Sequence, residues 1–359
     1  MNKKKKILLV IIIVIIIVVV VVSLIILKPF KYRATNLPTA NGITVVPTMN
    51  DSIKADSSWC GTFQLVWNDM KNELVKKDIV FNPQLDMVRN LNKEDFNESM
   101  LSQEYYYKTY GFNTFALKNK IETAIKEKFN QQSDVLKFIN WGENGRNYVF
   151  YTMLYRQFEF LQTFDKLDNG KFGDKYKDVK YFGIDKNTEA YVKNQIEVLY
   201  YNSKDDFAIL INTKTNDEVI FVKNPKGSTF NEIYKNMKNE TKKYTGKSVL
   251  NDRDEFKAPT LKIDKKREYN ELENKLFETN NPSYNPVTIA KAIQTIKLTL
   301  DEKGGKIKSE AVITTKNAVS QEDKPRYFYL NDTFAIFLRE KGKTKPYFAG
   351  RIKDVTKFQ

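Results

Sequence analysis

The chain contains no histidine among its 359 residues. That absence removes Ser-His and Cys-His catalytic pairs, histidine general bases and histidine-ligated zinc together. Cysteine is nearly as scarce. Cys60 is the only one, so there is no intrachain disulfide and no cysteine-rich metal site. It sits between Trp59 and Gly61 with no activating base beside it, which reads as a buried structural thiol rather than a nucleophile. The sequence also lacks a phosphate-binding glycine loop, a calcium loop and a nucleotide fingerprint. Aspartates and glutamates are scattered, and no spacing singles out an acid-base pair. Ser57, Ser58, Ser203 and Ser248 read as turn and cap residues, and their spacing to lysine defines no Ser-Lys dyad. These absences lead us to expect no enzyme, no cofactor and no metal site.

What the chain does have begins at Ile7. From Ile7 to Leu27 run 21 residues without a charge, with Ser23 the single polar member. As a helix this run rises about 31 Å, the thickness of a bilayer's hydrocarbon core. It is too long for a signal-peptide core, and no small-residue cleavage site follows. The expectation is an uncleaved signal anchor in a lipid bilayer. Lys3 to Lys6 precede the span, while Lys28, Lys31 and Arg33 follow it. The slight excess of positive charge before the span favours a cytoplasmic N-terminus and an extracytoplasmic domain at the cell membrane.

The formal net charge is +15, of which the first 33 residues carry +7, leaving +8 for the remainder. In that remainder lysines are interleaved with acids and no arginine-rich recognition module appears, so nucleic acid is not an expected partner. The chain therefore divides into a basic tail over 1–6, the membrane anchor over 7–27, a polar linker over 28–57 with Pro38, Gly42 and Pro47, and a folded domain over 58–359.

Periodicity gives the domain its class. Phe63, Val66, Trp67, Met70 and Leu74 fall at helical spacing, predicting an amphipathic helix from Ser58 to Lys76. Leu117, Ile121, Ile125 and Phe129 repeat the pattern, as do Phe230, Ile233, Met237 and Thr241. Strands follow: Tyr148 to Tyr155, apolar on both faces, then Ile196 to Tyr201, Phe207 to Asn212 and Glu218 to Val222 with turns of hairpin length between them. Pro259 to Ile263, Ile289 to Asp301, Phe334 to Arg339 and Tyr347 to Ile352 complete the set, the last two joined by a lysine- and glycine-rich turn. Helices early and antiparallel strands late make an α+β fold with N-terminal helices and large, mostly antiparallel sheets, preceded by one transmembrane helix.

The last 70 residues carry a resemblance. The stretch TIKLTLDEKGGKIKSEA, Thr295 to Ala311, resembles the strand and hinge that lead into the reactive loop of serpins. The stretch FYLNDTFAIFLREKGKTKPYFAGRI, Phe328 to Ile352, resembles the C-terminal strands that follow that loop. Upstream, NYVFYTMLYRQFEFLQTFDKLDNGKFG, LYYNSKDDFAILINT and FKAPTLKIDKKREYNELENKLF are similar to serpin segments in the family's order, and FQLVWNDM and KKDIVFNPQL match its first two helices. The chain departs from the pattern in several places. Residues 90–140 are short for the family's middle helices. Thr152 stands where serpins carry Asn, and Phe158 and Phe160 where they carry Gly and Trp.

The resemblance implies an exposed bait loop, cut by an extracellular protease, whose N-terminal part inserts as a new strand. Gly304, Ser309, Ala311, Ile313 and Thr315 would form the hinge, and the scissile region would lie at Glu322, Asp323 and Lys324, with Lys316 and Arg326 as further candidates for a trypsin-like protease. Side chains alternate along a strand. One face of the segment is Gly305, Ile307, Ser309, Ala311, Ile313 and Thr315, without charge, and such a face permits insertion. Against it, residues 305–308 are four more than the family hinge holds, and Ile313 is bulky where small residues are favoured, an overpacking that costs about 1–3 kcal/mol. The leading expectation is a surface-anchored serpin-like protein with a bait segment between Gly304 and Lys324 that does not inhibit. The alternatives are an active inhibitor of an extracellular serine or cysteine protease, and a binding or structural ectodomain with no protease-related role.

Overall fold

A computed structural model describes residues 42–133, 136–142, 147–156, 158–304 and 324–359. The span expected over 7–27 lies outside the described residues. Among those described, no helix is long and apolar enough to cross a membrane.

In chain order the elements are β1 (Thr44–Val46), β2 (Ser57–Cys60), α1 (Thr62–Asp69), which continues as a π-helical turn over Met70–Val75, α2 (Asp86–Leu91), β3 (Tyr106–Phe112), α3 (Phe115–Phe129), β4 (Asn147–Leu154), β5 (Asp165–Phe172) and β6 (Tyr176–Ile184). Then come α4 (Ala190–Lys193), β7 (Ile196–Ser203), β8 (Asp206–Asn212), β9 (Asp217–Lys223), α5 (Phe230–Lys243), β10 (Glu255–Pro259), β11 (Leu261–Glu268), β12 (Leu276–Phe277), β13 (Val287–Leu300), β14 (Tyr327–Tyr329), β15 (Phe334–Glu340) and β16 (Phe348–Ile352). They form three sheets: seven strands in the order β1-β2-β16-β15-β9-β8-β7, four in the order β14-β10-β6-β5, and five-stranded pairing built on β11-β13-β4-β3 with β12 beside β13. The α+β class and the mostly antiparallel pairing agree with the sequence reading.

The periodic helices form where their caps allow. Thr114 accepts a hydrogen bond from Leu117 N at the start of α3, and Asn130 ends the helix in the left-handed region at φ 50°. The buried Leu117, Ile121, Ile125 and Phe129 pack against Val149, Tyr151 and Ile293 of the five-stranded sheet. At α5, Thr229 accepts from Glu232 N while Glu232 accepts from Ser228 N, and the Phe230 and Tyr234 rings lie 6.3 and 5.2 Å from Phe337. The helix expected from Ser58 starts later, because Ser58–Cys60 pair with Phe348–Gly350 as strand. The strand expected over Pro259 to Ile263 is two strands in different sheets, parted at Thr260. Within the stretch read as linker, Ile43, Val45, Val46 and Met49 are buried in the main core.

Phe334 to Leu338 and Phe348 to Ile352 are adjacent antiparallel strands at the centre of the seven-stranded sheet. Both faces of β9 and β15 are covered, so their middles, Val219 to Val222 and Phe334 to Leu338, are continuously apolar rather than alternating. Lys223 ends β9 at 3% exposure, with its ammonium donating to Asn331 Oδ1 at 2.8 Å. Burial pulls its pKa down to about 8, opposed by Asp332 and Asp205. Between about pH 8 and 10.4 the unfolded chain then holds more protons here than the folded one, so stability climbs across that window. We expect Lys223→Met to stabilise the domain at pH 7 by on the order of 1–2 kcal/mol, after the lost bond to Asn331, and the gain to vanish near pH 10. Urea denaturation at the two pH values checks this.

Candidate functional site

Strand β13 has two different neighbours. Over Ile293–Leu300 it pairs antiparallel with β11, and over Thr288–Thr295 it pairs parallel with β4, through a register shift between Ile289 and Lys291. The parallel pairing stops at Thr295 opposite Met153. Beyond it, β13 runs on to Leu300 beside β11, while the chain after β4 stays with its other neighbour, Tyr155 N donating to Tyr105 O at 3.0 Å in line with the β3 ladder.

Where β13 ends, the chain reverses. Gly304 N donates to Asp301 O at 3.2 Å, and Lys303 N to Asp301 Oδ1 at 2.9 Å. The turn is held from the side by Phe160 N on Lys303 O at 3.2 Å and Phe164 N on Glu302 O at 2.9 Å. Gly304 sits at φ +79°, and a Cβ there would lie 2.5 Å from Phe160 N. Only glycine fits both the left-handed backbone and that close approach. Phe158 and Phe160, at the positions where the family differs, join Phe164 and Phe182 in a buried ring cluster, with Phe160 to Phe164 at 4.9 Å and Phe164 to Phe182 at 5.7 Å.

Under the parallel seam lies a buried polar network. Gln294 and Thr152 stand opposite each other in register. Gln294 Nε2 donates to Cys60 O at 2.9 Å and to Thr62 Oγ1 at 3.1 Å, and its Oε1 accepts from Tyr269 OH at 2.9 Å. Thr152 Oγ1 donates to Thr62 Oγ1 at 3.3 Å. Both strands are thus bonded to one residue at the start of α1. Cys60 is fully buried with Sγ 3.5 Å from Thr62 Oγ1, and burial pushes its thiol up, so it is a neutral packed group as the sequence suggests. Burial also drives the Tyr269 phenol well above its ordinary range.

Two buried ion pairs lie at strand ends. Just past β4, Arg156 Nη2 lies 2.7 Å from Asp217 Oδ2, with both side chains at 2% exposure or less. Tyr347 OH donates to Asp217 Oδ1 at 2.9 Å, and the Arg156 guanidinium lies over the Tyr105 ring. Burial pushes the Asp217 carboxyl up, opposed by Arg156, Tyr347 and Thr215. The second pair precedes β14. Arg326 donates from Nε and Nη2 to the fully buried Asp254 Oδ2 at 3.0 and 2.7 Å, and its backbone N reaches Asp254 Oδ1 at 2.7 Å. The guanidinium also donates to Tyr244 OH and to the carbonyls of Lys247 and Val249. Arg326 is therefore committed to the fold and withdrawn from an incoming protease, whereas Lys324 is exposed.

Of the predicted site residues, Gly304 and Lys324 bound the segment between β13 and β14. Ser309, Ala311, Ile313, Thr315, Glu322 and Asp323 lie outside the described residues. Gln294, Thr62, Tyr269, Arg156, Asp217 and Asp254 were not singled out by the sequence. One signal was there: Gln294 interrupts an apolar run, and Arg156 closes another. Among the described residues no cluster of acidic or sulfur side chains could hold a metal.

We expect Arg326→Ala to cost about 3 kcal/mol, because Asp254 would remain buried without its cation. Gly304→Ala should cost about 1–3 kcal/mol through backbone strain and displacement of Phe160. Equilibrium denaturation of each variant measures both.

No family model and no curated protein matches the chain. Solved structures do. Serpin48 of the insect Tenebrio molitor, described as a highly specific serpin, is 15% identical with a TM-score of 0.49, over 83% of this chain and 92% of that one. Human thyroxine-binding globulin in complex with thyroxine is 12% identical with a TM-score of 0.48, over 84% and 92%. Human glycosylated kallistatin is 14% identical with a TM-score of 0.44, over 77% and 72%. The chain is similar to these structures at a distance, with identities of 15% or less and TM-scores below 0.5.

Proposed function

We propose that the protein is a membrane-anchored, non-catalytic serpin-like domain that offers residues 305–323 as protease bait without trapping the protease. The observation that carries this reading is the parallel seam between β4 and β13. Strand β13 runs past that seam to the Gly304 turn, and the described chain resumes at Lys324 just before β14, in the four-stranded sheet. A strand running back from the turn would be antiparallel to β13 and to β4 at once, so the seam is where a sixth strand would be accepted.

Three features weigh against acceptance. The network of Gln294, Thr152 and Thr62 would have to part. Arg156 pins the end of β4 to Asp217 of the seven-stranded sheet. Ile313 and the four additional hinge residues make the incoming strand a poor fit. Slow insertion lets a protease complete its cut and leave.

Trypsin and a Glu-specific protease separate the readings. We expect cleavage at Lys or Glu within 305–324 and none at Arg326, no gel-stable covalent complex, and a melting temperature changed by less than about 3 °C. Covalent complexes with a large rise in melting temperature would establish an inhibitor instead. Resistance of the whole segment would leave the binding or structural ectodomain as the reading.

The anchor is tested separately. Protease added to intact cells should digest residues 34–359 and spare the N-terminus. Protection of the domain would reverse the topology.

A further inference from the structure

The described chain starts at Gly42, and the residues around it are basic. A Cβ on Gly42 would lie 3.3 Å from Lys357 Cε. Arg351 Nη1 donates to Ala55 O at 2.8 Å, next to Lys54. Lys353 N reaches Asp56 Oδ1 at 2.7 Å, and Lys180 N bonds Gln359 Oε1 at 3.1 Å, two residues beyond Lys357. Lys54, Lys180 and Lys353 are exposed, and Arg351 and Lys357 are half-buried.

The nearby acids are largely spent. Asp56 is 4% exposed and accepts from Lys357 Nζ and from the backbone of Lys353 and Asp354. Asp354 accepts from Thr356, which together with Tyr176 holds its carboxyl below the usual range. Of the exposed acids, Asp174 precedes β6 beside Lys175, and Asp178, on the same face of β6 as Lys180, accepts from Asn169 Nδ2 at 2.8 Å.

The sequence continues this charge toward the anchor. No Asp or Glu occurs before Asp51, and Lys28, Lys31 and Arg33 follow the apolar run. Fourteen residues, 28–41, part Leu27 from Gly42. Fully extended they reach about 50 Å, and a flexible chain of that length spans about 20 Å. Such a tether enters the domain at the face around Gly42, so that face is within reach of the bilayer. Attraction there acts over a screening length of about 8 Å at physiological salt, so it rewards direct contact.

We propose that the face formed by Lys54, Lys180, Arg351, Lys353 and Lys357 rests on the anionic lipid headgroups of the bilayer that anchors the chain. This rests on the anchored reading given above. Contact would fix how the domain stands on the membrane, rather than leave it to turn on its tether.

The test uses the full chain in vesicles, with lysine acetylation read by mass spectrometry. Vesicles of neutral phosphatidylcholine are compared with vesicles holding about a third phosphatidylglycerol. In the anionic vesicles we expect Lys54, Lys180 and Lys353 to be acetylated about threefold more slowly, with the exposed Lys120 and Lys126 of α3 unchanged, and the difference to vanish in high salt. The triple variant Lys54→Glu, Lys180→Glu, Lys353→Glu, confined to exposed side chains, should raise the labelling of Lys357 in anionic vesicles to its value in neutral ones. Equal labelling in both vesicle types, with the chain retained through alkaline carbonate extraction, overturns the docking face and leaves the anchor intact. Release of the chain by carbonate overturns the anchor and this proposal together.

Discussion

The hydrogen-bonded pairing of β4 with β13 is the constraint on which the rest depends. In the five-stranded sheet these two are the parallel pair, and every other neighbour pairing in that sheet is antiparallel. The seam cannot part locally. Gln294 on one strand and Thr152 on the other both bond Thr62, so separation also strips hydrogen bonds from the start of α1. A buried donor or acceptor left without a partner costs about 1–3 kcal/mol, so the network raises the barrier to parting the strands.

The two arginines fix what lies on either side. Arg156 fastens the exit of β4, and Arg326 fastens the approach to β14. Buried pairs of this kind add little net stability compared with a well-packed apolar alternative, but breaking one is costly. The two ends that flank residues 305–323 are held to the body of the protein, one by the bonds of Phe160 and Phe164 to the turn before Gly304 and the other by Arg326 on Asp254.

Periodicity made much of the fold legible. The apolar residues of α3 and α5, the paired strands β15 and β16, and the doubly covered β4 all announce themselves by spacing or by continuous apolarity. Strands β3, β5 and β6 did not. Strand β5 is mostly solvated and β3 is half-covered after the buried Tyr106, so neither shows a clean alternation. Strand β2 reads as the start of a helix because its strand character comes from partners on both sides, β1 before it and β16 almost 300 residues later. At the site, Gly304 was readable from the motif around it. The network was not, because Gln294, Thr152, Tyr269 and Thr62 come from four separate segments and meet only through tertiary packing. The same is true of Arg156 with Asp217 and of Arg326 with Asp254.

The absence of histidine acquires its meaning at the seam. The groups that hold β4 to β13 are an amide, two hydroxyls, a phenol driven upward by burial and, beside them, a neutral thiol. None of these changes charge between about pH 4 and 8. Acidification, which would charge an imidazole in such a place and loosen the strands around it, leaves this junction as it was. The acid-sensitive group near the strand ends is instead Asp217, whose carboxyl burial pushes up against the pull of Arg156, so acidity can act on the pin at the exit of β4 but not on the junction itself.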